Sequence, residues 1–141
     1  MKTKVTDTEA IDNSQVVRSM IDRENDVINH RITWLTTIQG LFFASLGFTW
    51  DKPTGAKLIG VLCLLGIAVS VIQLFALILA TTAIRRLCDW WETNKPKNYN
   101  GPGVMGGYPP KYSIVFFITF WNWIPLLFII AWVIVWFITA G

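Results

Sequence analysis

The stretch LIGVLCLLGIAVSVIQLFALILATTAI, Leu58–Ile84, runs for 27 residues without an Asp, Glu, Lys, Arg or His. A helix needs about 20 mostly apolar residues to cross the hydrocarbon core of a bilayer. Two further stretches meet the same test or come close to it: Ile32–Trp50 with 19 residues and Ser113–Gly141 with 29, both charge-free. Hydrocarbon gives backbone N–H and C=O groups no partner, so a spanning segment must be a helix or part of a closed barrel. None of the three runs alternates with a period of two. The sequence therefore predicts an all-α membrane protein with three transmembrane helices, at 32–50, 58–84 and 113–141.

Outside these runs lie an N-terminal arm (1–31), a short external turn (51–57) and a second loop (85–112). None is long enough to bury a soluble core, which speaks against a separate catalytic domain. A soluble chain that is 53% hydrophobic would also expose a very large apolar surface.

Lys and Arg collect on the cytoplasmic side of membrane proteins. Lys2, Lys4, Arg18, Arg23 and Arg31 lie on the arm, and Arg85, Arg86, Lys95, Lys97 and Lys111 on the second loop. The first turn carries only Lys52 and Lys57. Ten basic residues against two place the N-terminus in the cytoplasm and the C-terminus outside. The net charge of +3 is thus an expression of topology, and no nucleic-acid partner is expected. Cys63 and Cys88 read as packing residues. With one His they make no metal site, and no cofactor is expected. The first apolar stretch follows a mixed-charge arm and lacks the short core of a cleavable signal, so it is expected to act as its own insertion signal.

Thr6-Asp7-Thr8-Glu9 has the form of a capping box. From there to Trp50 there is no Pro, and Val17, Ile21, Ile28, Ile32 and Leu35 recur at helical spacing. One long helix is predicted, cytoplasmic over its first half and membrane-embedded over its second, about 65 Å in length. Pro53 and Gly55 break it in the external turn. Asn94–Pro110 is rich in Gly, Pro and Asn and reads as a loop. It has no preceding strand to make it a phosphate cradle. Pro125 should kink the third span.

Charged residues inside spans usually mark pumps and proton-coupled transporters, and these runs have none. What remains is Gln39, Gln73 and Asn122, with Thr33, Thr36 and Thr37 among the hydroxyls. Such groups either bond across helix interfaces or line a hydrated path. Gly40 and Ala44 form a small-xxx-small pair on the same polar first span, as Gly66 and Ser70 do on the second. A three-helix protomer has little interior in which to hide such a span, so homo-oligomerisation around it is expected. The densest polar cluster is Arg23, Asn25, Asp26, Asn29, His30 and Arg31, which reads as an inter-subunit seam or as a solvated helix face.

Arg23 and His30, six residues apart in between, resemble the loose Arg-x(4–6)-His motif of HEPN ribonucleases over eight residues; the soluble bundle of that family is absent. The run Glu24-Asn25-Asp26-Val27-Ile28-Asn29-His30-Arg31-Ile32-Thr33-Trp34-Leu35 is similar to one in small uncharacterised bacterial membrane proteins. Some with this architecture resemble membrane effectors of phage-defence systems. That resemblance implies a bacterial inner membrane and no catalytic residue. Phage holins are similar in size but typically end in a charged cytoplasmic tail. The function expected is a non-enzymatic homo-oligomer that forms or gates a pore, with a membrane-disrupting effector as the role such a pore would serve. The alternative is an accessory subunit docked on a larger membrane complex.

Overall fold

The computed structural model describes residues 7–52, 55–97, 99, 101, 103–104 and 113–140. Thr6 of the capping box, Pro53 and Thr54 of the turn, and most of Asn98–Tyr112 lie outside the described residues. Three helices form in chain order: α1 at Asp7–Thr49, α2 at Gly55–Asn94 and α3 at Ser113–Ala140. Each is long and apolar enough to cross a membrane. The chain is an all-helical membrane protein.

α1 and α2 form an antiparallel hairpin. At its turn the Lys52 N–H donates to Thr49 O at 3.2 Å and the Gly55 N–H to Lys52 O at 2.8 Å. Gly55 is required there, because a Cβ would collide with the Thr49 carbonyl oxygen. α2 lies between the other two helices and carries most of the packing, while α1 and α3 meet over a short stretch.

The buried residues of α1 include Ser14, Val17, Ile21, Ile28, Leu35, Gln39, Leu46 and Thr49. Their steps are threes, fours and sevens, a 3.5-residue period that keeps one seam against a neighbour along a long left-handed crossing. Ile59, Cys63, Gly66, Ser70, Leu77, Ile84, Cys88 and Trp91 give α2 the matching seam. Two apolar clusters result. One joins Val17, Ile21 and Ile28 to Leu77, Ala80, Ile84, Cys88 and Trp91. The other joins Leu46 to Ile59, Leu62, Cys63 and Trp132. Both cysteines are free and buried.

α2 continues ten residues past Ile84, through the charged stretch that the sequence assigns to the loop. The cause is its seam: Cys88 and Trp91 keep the period and bury against the N-terminal half of α1. The chain then turns back on the hairpin. Tyr99 meets Trp91 edge-on at 5.2 Å, and Arg18 donates to Gly103 O at 3.2 Å. α3 runs through Pro125, which is fully buried.

Outward faces of the spans are apolar: Trp34, Leu41, Phe48, Leu64, Leu79, Leu127 and Phe137 are all exposed. In a soluble protein such surface would drive aggregation; in a bilayer it meets acyl chains.

Truncating Trp91 tests the extension of α2. Trp91→Ala removes the ring that both Tyr99 and the α1 seam pack against, a loss of about 3 kcal/mol. Hydrogen exchange should accelerate over 84–94 and stay slow over 59–70. Unchanged exchange at 84–94 would mean that the end of α2 is held by something else.

Candidate functional site

Between the two apolar clusters sits a polar node built by all three helices. Gln39, Ser70 and Trp132 are each 0% exposed. The Gln39 Nε2 group donates to Gly66 O at 2.9 Å and to Ser70 Oγ at 2.8 Å. Trp132 Nε1–H donates to Gln39 Oε1 at 2.6 Å. The Ser70 hydroxyl donates to Gly66 O, one turn back on its own helix, at 2.8 Å. Both donors of the Gln39 amide and its oxygen are thereby occupied, as burial demands.

Packing fixes the indole that closes the node. Phe43 stacks on Trp132 with ring centroids 4.5 Å apart and planes 9° from parallel, and Phe42 meets it edge-on at 6.4 Å. Gly66 supplies the seat: a Cβ at that position would overlap the Trp132 indole. The small residue expected to bring helices close therefore does so, inside the protomer and between α2 and α3.

Chemically the node is a clamp. It holds no titratable side chain, and the Ser70 hydroxyl faces a carbonyl with no base beside it. Among the described residues no group of His, Cys, Asp and Glu is arranged to hold a metal ion.

The other candidate residues are distributed differently. Thr33, Thr36, Thr37, Gly40 and Ala44 all lie on exposed surface of α1. The threonine hydroxyls donate to carbonyls one turn back, at Asn29, Ile32 and Thr33, over 2.8–2.9 Å. Gly40 and Gly47 have open space where a Cβ would be. Gln73 and Asn122 are half-buried, and the Gln73 Oε1 and Asn122 Oδ1 atoms are buried without a hydrogen-bond partner. In the arm cluster, Arg23, Asn25, Asp26, Asn29 and His30 are exposed. Arg31 is set apart: it is half-buried, and its Nη1 donates to the Ala76 carbonyl of α2 at 2.6 Å.

Gln39 is thus separated from the threonines it was grouped with in sequence. Its amide faces the protomer interior, so it is not placed to hydrate a pore lined by the outer face of α1. Trp132 is the partner that sequence reasoning missed. The signal was available, since an indole N–H in an apolar span needs an acceptor and few exist there.

Two measurements test the clamp. Gln39→Leu and Trp132→Phe should each lower stability by about 1–2 kcal/mol. The double variant should lose less than the sum, with a coupling near 1 kcal/mol; strict additivity would show that the bond between them contributes nothing. Gly66→Ala should destabilise by about 1–3 kcal/mol through overpacking. Gly40→Ala, into open space, should cause no loss.

The chain matches no protein-family model, no curated protein and no solved structure, so the geometry itself carries the functional reading.

Proposed function

We propose that this chain is a homo-oligomeric membrane protein whose α1 helices meet around a common axis and form or gate a pore. The observation that carries this reading is the outer face of α1. Thr33, Thr37, Gly40, Ala44 and Gly47 follow one another at steps of four, three, four and three, and all are exposed. That is a second 3.5-residue seam, on the side away from α2, made only of small residues. Small residues at this period let helices approach closely, and closed rotational symmetry is the common way to satisfy identical faces.

Threonine hydroxyls on that face keep lone pairs free to bind water while donating to their own helix. Leu41, exposed beside Gly40, supplies an apolar ring able to close a narrow path by dewetting. Charge-free spans suit passive conduction better than coupled transport. In a bacterial inner membrane, with the arm in the cytoplasm as the basic residues suggest, opening would depolarise the cell. The resemblance to membrane-directed effectors fits that outcome.

The exposed aromatic surface of α3, including Trp123 and Phe137, favours a second reading, an accessory subunit docked on a larger membrane complex. Particle mass separates the two. Gly40→Leu should leave the protomer folded, because nothing lies within 4 Å of that site, and should reduce the solubilised particle to protomers. A particle of unchanged mass would show that this face contacts lipid. In planar bilayers the purified protein should conduct, and Thr37→Val should lower conductance while Gln39→Leu acts through stability. Absence of current from well-assembled particles would leave the docking reading in its place.

Orientation is checked in a variant with Cys63 and Cys88 replaced. A membrane-impermeant thiol reagent applied outside should label Lys52→Cys and spare Lys97→Cys. The opposite pattern would reverse the topology.

A further inference from the structure

α1 and α2 lie side by side in the hairpin, so a level on one helix is also a level on the other. Arg31 donates to the Ala76 carbonyl at 2.6 Å, and Gln39 meets Gly66 and Ser70. Between these antiparallel helices His30 therefore stands level with Leu77, Asp26 with Thr81 and Asp22 with Arg85.

At these levels the two outer surfaces disagree. α2 turns Phe75, Ile78 and Leu79 outward, with Leu79 71% exposed, and carries no charge before Arg85. α1 turns Asp22, Arg23, Asp26, Asn29 and His30 outward. The disagreement runs from Ala76 to Ile84, about 12 Å of helix. Acyl chains suit the first surface. Charged side chains are costly in them and almost always face a bundle interior or a water-filled cavity.

Position around α1 shows where such a cavity would lie. At about 100° per residue, Asp22 and Asp26 each fall within about 20° of Thr33, as Gly40 does. The two carboxylates thus continue the line of small residues on the span. Arg23 falls about 80° from that line, on the side of the exposed Trp34. The charge on the line itself is negative.

We infer that the segment from Asp22 to His30 lines a water-filled vestibule sunk into one leaflet, on the side away from the α1–α2 turn, and that Asp22 and Asp26 make it attract cations. The inference rests on the assembly of α1 helices around a common axis proposed above. On that axis the same segments of neighbouring copies wall the vestibule, while Leu79 at the same depth faces acyl chains outside the ring. Like carboxylates brought toward one axis repel. The arms then stand apart where the small-residue spans approach closely, and water fills the gap. Rings of carboxylates concentrate cations at a channel mouth.

The test uses the full chain in bilayers, with Cys63 and Cys88 replaced by alanine and a nitroxide attached at Asn29→Cys or at Leu79→Cys. These two sites share one depth. A water-soluble nickel chelate should relax the first and spare the second, and dissolved oxygen should favour the second. Strong relaxation of both by the chelate would place this level in bulk water, and a preference of both for oxygen would place it in lipid. Either result overturns the vestibule. Selectivity is read in planar bilayers from the reversal potential under a potassium chloride gradient. Cations should be preferred. Asp22→Asn combined with Asp26→Asn should lower the cation-to-anion permeability ratio about tenfold, and Arg23→Gln should not lower it. The carboxylates are exposed, so the double variant keeps the hairpin packing. A current that prefers anions, or a cation preference that survives the double variant, would overturn this inference and leave the pore standing. Absence of current from assembled particles would overturn the pore and the vestibule with it.

Discussion

A primary amide in the middle of three apolar helices has two N–H donors and a carbonyl to place, and hydrocarbon bonds none of them. Leaving such groups unmet inside a membrane costs several kcal/mol. Gln39 resolves this by reaching the Gly66 carbonyl and Ser70 hydroxyl on α2 while accepting the indole N–H of Trp132 on α3. Much of the bundle geometry follows. α1 must turn its Leu35–Gln39–Leu46 face toward α2, Gly66 must lack a side chain, and Trp132 must stack on Phe43 to bring its nitrogen inward. The node also pins the axial register, because Gln39 can meet Gly66 and Ser70 at one offset only.

Register then sets what happens at the far end of the hairpin. The charge-free run of α2 is eight residues longer than that of α1. With the turn end fixed, the surplus must emerge beside the charged arm. The arm accommodates it by offering Val17, Ile21 and Ile28 on the same 3.5-residue seam, so the two helices stay zipped well beyond Arg31. The extended packing of α2 on the arm and the half-buried arginine are consequences of one length mismatch.

Assembly is the complementary problem. Turning Gln39 inward leaves Thr33, Thr37, Gly40 and Ala44 exposed, since they lie about 100–160° away around the same helix. The Thr33 and Thr37 hydroxyls are satisfied by their own backbone, so the face is tolerable in lipid, and its small residues are what the proposed assembly relies on. In the proposed oligomer, the large seam would hold the hairpin and the small one would serve association.

The sequence by itself determined that this is a three-helix membrane protein, because the absence of charge over 19, 27 and 29 residues depends on composition and length alone. It also determined that Gln39, Gln73 and Asn122 were the amides needing an account. It misjudged the end of α2, where charged residues concealed a seam that Cys88 and Trp91 continue. Which face of α1 is the inner one was decided only by the tertiary structure. Gln39 and Gly40 are neighbours in sequence and about 100° apart around the helix. Both of their faces carry the same periodicity, so pattern could not rank them. The ranking came from three-body complementarity: an amide with three groups to satisfy found a carbonyl, a hydroxyl and an indole from two other helices, at separations of 27, 31 and 93 residues.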